Sequence, residues 1–283
     1  MREQEPGPSI GLIDAERDPL LERGNGVPWL RWGRHLSERQ WGTVREHYIA
    51  DGDAWAFFPH DHARSRAYRR GKDGKEYYFY LDNTPTHSYM KYLYKYPHTA
   101  YPYDDLVATN GRRSVDDYEY ELIDTGAFAE DRYFDVGVEY AKGAPDDILI
   151  AIETTNRGPE PASLAVLPTV WFRNTWSEGT QPRPALERMA DLPDATVVRA
   201  DHDAIGRRFL YAANRPATLF CDNESNVQRL FGEPNASQYV KDGIGEAVRT
   251  HRPQLAARFP ALGEPGTSIP DPDRDRRAER ETT

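Results

Sequence analysis

An all-β fold, an antiparallel β-sandwich with short helices, is the class this sequence predicts, and three observations predict it. Apolar and polar residues alternate with a period of two over 133–140 and again over 148–152. Turn-forming groups of Gly, Pro, Asn and Asp separate short apolar runs through the second half of the chain. The long intervening helices that a parallel α/β sheet needs are not suggested between those runs.

Taken in order, residues 1–28 carry Pro, Gly and dense charge and are expected to be a mobile leader, with a short helix near 18–23. Aromatic anchors begin at Trp29, Trp32 and Trp41, and Ser37 with Gln40 has the spacing of a capping pair or a turn. Over 82–97 the spacing predicts a short helix, with Thr84 as N-cap, Pro85 at the first position and Pro97 as the stop. Tyr89, Tyr92, Leu93 and Tyr96 then share one helical face, read as packing rather than as a cofactor site.

From 133 onward strands are expected. Phe134, Val136, Val138 and Tyr140 fall on one face, Ile148, Ile150 and Ile152 repeat the alternation, and Gly143-Ala144-Pro145-Asp146 between them signals a hairpin turn. A second turn at 156–159 leads to a strand through Leu164, Val166, Val170 and Phe172, with Pro168 at a bulge or edge. Further strands are expected at 196–200, 207–212 and 217–221. The domain is expected to run from 29 to 248, followed over 249–283 by an Arg-, Pro- and Asp-rich tail too polar to offset chain entropy. No internal repeat of fixed period is apparent.

Composition narrows the function classes. The 283 residues suit one large domain or two ordinary ones, and 38% hydrophobic content with 17 Tyr, 10 Phe and 6 Trp makes a core rich in amphipathic rings. A net charge of −10 repels polyanions, so nucleic acid is not an expected partner and a neutral ligand such as a sugar fits better. Cys221 is the sole cysteine, which excludes an internal disulfide framework and makes a reduced compartment the default. Residues 1–14 lack an apolar segment behind a basic start, and no apolar run approaches a membrane span, so the reading is soluble and cytoplasmic.

Two runs invite chemistry. In Phe57-Phe58-Pro59-His60-Asp61-His62-Ala63-Arg64-Ser65-Arg66, an extended backbone would point His60 and His62 the same way, the start of a two-histidine metal site. Such a site needs further ligands that the sequence does not place, and a polar loop held by Arg–Asp pairs is the favoured reading, with no metal. In Trp171-Phe172-Arg173-Asn174-Thr175-Trp176, ring faces for a pyranose and donors for hydroxyls leave a strand end together. A buried strand end with a capped turn accounts for the same residues, and both readings stand. The acidic pairs Asp104-Asp105, Asp116-Asp117 and Asp146-Asp147 are adjacent, not opposed across a bond, and are read as turn residues. No Gly-rich phosphate loop, nucleophile elbow or zinc-type cysteine cluster is present in the sequence, and no cofactor is expected.

Together the strings 37–46, 58–68, 75–82, 86–97 and 171–176 resemble the N-terminal region of bacterial glycoside hydrolase family 63 proteins, over residues 29 to 248. The resemblance implies a glycosidase N-terminal supersandwich that packs on a C-terminal barrel of paired α-helices. That barrel carries a general acid and base that hydrolyse an α-glucoside or related oligosaccharide with inversion, which sets the carboxyls about 6.5–9.5 Å apart. None of the catalytic pair is matched here, so the chain is expected to be non-catalytic alone. Trp171, Arg173, Asn174, Trp176, His60, Asp61 and Arg64 are expected to face a sugar or the barrel.

The sequence departs from the family in two places. Only Arg70-Gly71-Lys72-Asp73-Gly74 joins two matching strings where the family has several dozen more residues, and the match fades after Ile244. A carbohydrate-binding or barrel-docking module is the first alternative function, and a small metal enzyme using His60-Asp61-His62 the second.

Overall fold

The computed structural model describes residues 15–33, 78–114, 116–179 and 181–251. They fall into two units, the first ending at Val166 and the second beginning at Leu167. Each contains one antiparallel sheet, so the β-rich, antiparallel expectation holds. Among the described residues no helix is long and apolar enough to cross a membrane.

The first unit opens with helix α1 (Arg17–Gly24) and a 3-10 turn (Trp29–Arg31). Strands β1 (Tyr78–Asn83), β2 (Tyr89–Pro97), β3 (Tyr133–Ala144) and β4 (Asp147–Asn156) form a sheet in sequence order, with helix α2 (Tyr103–Asn110) between β2 and β3. Pairing of β3 with β4 puts Val138 opposite Ile152 and Tyr140 opposite Ile150, the hairpin expected from the alternation. Met90, Phe134 and Val138 are buried on that face, where the Tyr92 and Tyr140 rings stack 5.9 Å apart. The opposite face is charged: Lys91 pairs with Glu139 at 2.6 Å, and Asp135 takes both Lys95 and Arg157.

The helix expected over 82–97 is instead the β1–β2 hairpin. Thr84 N–H donates to the Tyr89 carbonyl at 3.0 Å, and His87 N–H to the Thr84 carbonyl at 3.0 Å, so Thr84 and Pro85 open a tight turn, not a helix. His87 adopts a left-handed φ of 57°, which no helix accommodates. Tyr92, Tyr94 and Tyr96 also alternate with a period of two, and β2 pairs with β3 along its whole length and with β1 from Met90 to Tyr94. Tertiary pairing therefore overrides the capping signal.

Helix α1 is tied to that turn. Glu16 accepts from the backbone and hydroxyl of the wholly buried Thr86 at 2.8 and 2.6 Å, and from the Ser88 hydroxyl. Trp29 is buried, and its carbonyl accepts from the Lys142 ammonium at 2.6 Å. The later half of the expected leader is thus built into the unit. A separate apolar cluster joins Leu106 of α2 to Leu122, walled by Tyr101, Tyr103, Tyr120 and Phe128. Asn110 locks it, donating to the Leu106 and Tyr120 carbonyls and accepting from Tyr120 N–H.

In the second unit, β5 (Ala185–Arg188), β6 (Ala195–His202) and β7 (Gly206–Ala213) form a three-stranded sheet centred on β6. The expected strands at 196–200 and 207–212 are β6 and β7. The segment 164–172 is irregular rather than a strand: Pro161 and Pro168 cannot donate to a ladder, and Val166, Leu167 and Val170 are exposed. The segment 217–221 is not a regular strand either. The chain just beyond it is held at scattered points, with Asp222 N–H on the Tyr239 carbonyl and Lys241 N–H on the Glu224 carbonyl. Helices α3 (Val227–Phe231) and α4 (Gly243–Thr250) complete the unit, so Arg249 and Thr250 of the expected tail are helical. Residues 1–14, the Ser37 and Gln40 pair, Trp41, the expected shortening near 70–75 and the tail beyond 251 lie outside the described residues.

Candidate functional site

The 171–176 run lies in the irregular segment before β5 of the second unit. An irregular backbone must find hydrogen-bond partners outside a ladder, and here side chains supply them. Asn174, 2% exposed, is the centre: its amide donates to the Asn223 carbonyl at 2.6 Å. Its side-chain oxygen accepts from the Ser177 backbone at 3.2 Å and from the Ser177 hydroxyl at 2.5 Å. Asn223 returns the contact, donating to the Phe172 carbonyl at 2.8 Å. Two asparagines thus stitch two loops together reciprocally.

Trp176 begins a 3-10 turn that Gly179 ends at a left-handed φ of 71°, a conformation glycine adopts without steric cost. The indole N–H of Trp176 donates to Glu224 at 2.7 Å, which fixes the ring's orientation. The Arg183 guanidinium lies 5.8 Å from the ring centroid and pairs with Asp222 at 2.5 Å. Asp222 also accepts from Ser237 at 2.6 Å. The result is a half-buried aromatic ring flanked by a cation, with Glu224 on its N–H and Asp222 on the flanking cation.

Of the residues singled out in the sequence, Asn174 and Trp176 belong to this network. Asn174 is a buried loop support. Phe172 packs on the His202 ring at 5.0 Å, Trp171 is half-buried, and Arg173 is exposed. His60, Asp61 and Arg64 lie outside the described residues, and among those residues no three potential metal ligands gather. Arg183, Asp222, Asn223, Glu224 and Ser237 were not singled out. The one sequence signal was the polar run Asp222-Asn223-Glu224-Ser225, which reads as an ordinary turn.

Glycoside hydrolysis needs one carboxyl held protonated near neutrality. Every described Asp or Glu with a resolved displacement moves the other way. Hydrogen bonds from Lys91, Ser114, Arg188 and Arg207 lead in holding Glu139, Asp117, Asp191 and Asp201 below their ordinary values. At Glu16 and Asp135 burial pushes upward, but hydrogen-bond donors outweigh it and both end low.

No family model matches the chain, and no solved structure matches it. The chain is similar to the uncharacterized protein YMR196W of Saccharomyces cerevisiae, 36% identical over 310 aligned positions. The match covers 82% of this chain and 28% of the yeast protein, so the chain spans less than a third of the length of that curated relative. The alignment is longer than the chain itself, so the relative carries residues with no counterpart here.

Proposed function

We propose that this chain is the non-catalytic β-domain of a protein resembling glycoside hydrolase family 63, a β-sandwich that presents the 171–176 loop to a sugar or to a catalytic α/α barrel. The observation that carries this reading is the buttressed Trp176. Glu224 takes its N–H and Arg183 flanks its ring, so the indole is a positioned platform of the kind pyranose rings stack on. The excess length of the alignment with the yeast relative supports this chain being shorter than that relative over the matched stretch. The apolar face of the β1–β4 sheet, where Ile150 and Ile152 stay exposed, is the kind of surface a sandwich covers with a second sheet.

Titration of the purified chain with α-linked gluco-oligosaccharides, followed by tryptophan fluorescence, tests the reading. Binding is expected, without hydrolysis of those sugars or of aryl α-glucosides. Trp176→Ala should abolish binding, while Trp176→Phe, which keeps a ring but loses the Glu224 contact, should weaken it and leave the melting temperature nearly unchanged. Turnover that co-purifies with the chain, or binding indifferent to Trp176→Ala, overturns the proposal.

A further inference from the structure

Edge strands expose a row of unpaired backbone groups, and proteins blunt them with short length, bulges, Lys or Pro. Among the described residues β1 and β4 are the two edges of the β1–β4 sheet, and they differ in this respect. β1 has six residues, and its register shifts between Tyr80 and Asp82. β4 has ten, reads Asp-Ile-Leu-Ile-Ala-Ile-Glu-Thr-Thr-Asn, and contains no Lys, Arg or Pro. Its register against β3 is continuous from Asn156 to Ile148. All of its residues except Ile148 and Thr155 are exposed, including Leu149 at 61% and Ile150 at 50%. A long edge with a regular register over 148–156, an apolar stretch over 148–152, and no Lys, Arg or Pro is a template for strand addition, with Asp147 and Glu153 as its only charges.

From this edge we infer that β4 pairs antiparallel with β4 of a second copy of the chain, about a twofold axis at Ala151. The sequence of the strand is self-complementary in that register. Ile150 falls opposite Ile152 of the second copy, Ile148 opposite Thr154, Leu149 opposite Glu153 and Asp147 opposite Thr155. Neither acidic residue meets another acid, although the strand has no base to offset them. On the face that carries Val138 and Tyr140, the isoleucines of both copies would form one apolar band across the axis. A one-residue slip loses that match, because it turns the isoleucines of one copy to the opposite face. Closed twofold pairing also consumes both β4 edges, leaving only the blunted β1 edges outward and so limiting growth beyond two copies. A single added strand buries less than the roughly 1,200 Å² of a standard interface, so the dimer should be weak and concentration-dependent.

Two measurements on the full chain test this. Sedimentation velocity across a concentration series should show a monomer passing to a dimer, and Ile150→Lys should hold it monomeric with little change in melting temperature, since Ile150 is half-exposed. Ala151→Cys places two thiols opposite each other on the axis, within reach of a disulfide. Mild oxidation should then cross-link it to a dimer. Burial pushes the native Cys221 thiol up to about 11, so it stays protonated and competes poorly. Glu153→Cys, whose twofold mate is offset by four residues, should cross-link far less, though it should link to a Leu149→Cys chain when the two are mixed. A wild-type chain monomeric at every concentration, or equal cross-linking of Ala151→Cys and Glu153→Cys alone, overturns the inference.

Discussion

The two units hold their irregular parts in different ways. In the first, the segment between β2 and β3 is gathered around apolar packing, with Asn110 hydrogen-bonded within it: Leu106 and Leu122 sink among the rings of Tyr101, Tyr103, Tyr120 and Phe128. In the second, the long segment before β5 is held by polar side chains reaching backbone groups, above all Asn174 and Asn223. Packing is shared among many contacts and yields gradually, whereas a buried polar knot depends on each member because an orphaned donor or acceptor is costly.

Truncating the packed cluster should give the larger effect. Leu106 is completely buried, so Leu106→Ala removes its transfer free energy and leaves a cavity, worth about 2–5 kcal/mol. Denaturant unfolding should show that loss, and native-state hydrogen exchange should place it in the first unit, with amides of β6 and β7 unaffected. A loss spread equally over both units would mean that they unfold as one.

Asn174→Ala comes next. It removes a hydrogen bond from the half-buried Asn223 carbonyl and from the Ser177 backbone N–H, a cost of about 0.5–1.5 kcal/mol for each bond. Exchange should rise across 171–181 and 222–226 while the β1–β4 sheet keeps its protection. Asn174→Asp discriminates further: it retains the acceptor for Ser177 but loses the donor to Asn223, so it should open the 222–226 side more than the 177 side. If Asn174→Ala costs nothing measurable, the polar knot does not hold the loop.

How much of this was legible in the sequence follows the same division. The β3–β4 hairpin was readable because Phe134, Val138, Ile150 and Ile152 carry a period of two on both arms around a Pro-Asp turn. The β1–β2 hairpin was not, because Thr84-Pro85 imitates a helix start and the tyrosine-rich run carries both a helical spacing at Tyr89, Tyr92 and Tyr96 and a strand alternation at Tyr92, Tyr94 and Tyr96; the ladders with β1 and β3 decide between them. The Asn174 and Trp176 positions were singled out for their chemistry. Their partners Asn223 and Glu224 lie about fifty positions away in the chain, a separation no local pattern reveals. The exposed β4 edge was hidden for a related reason: alternation tells which face a residue takes but not whether a strand ends the sheet.

The smallest effect expected concerns charge, and it sharpens the comparison by pH. Asp135 on β3 accepts from Lys95 at 2.8 Å and from Arg157 at 2.6 Å. Burial pushes its carboxyl upward, but those hydrogen bonds and positive charges outweigh it and hold it below the ordinary 3.8. A group whose folded value lies below its unfolded value binds fewer protons when folded. Its contribution is therefore complete above 3.8 and is lost as pH falls through the lower folded value. Asp201 in the second unit is also held low, led by its Arg207 hydrogen bond, but its side chain is 33% exposed against 13% for Asp135. Water and salt screen the more exposed pair. Asp135→Asn should accordingly lower stability most at neutral pH, with the gap to the parent chain closing as pH drops below 3.8, and Asp201→Asn should show the same trend with smaller amplitude. Urea midpoints taken from neutral to acid pH, at low and high salt, measure both. A gap for Asp135→Asn that does not change with pH would show that its role is steric, and a larger acid-limb change for Asp201→Asn would reverse the order of the two units.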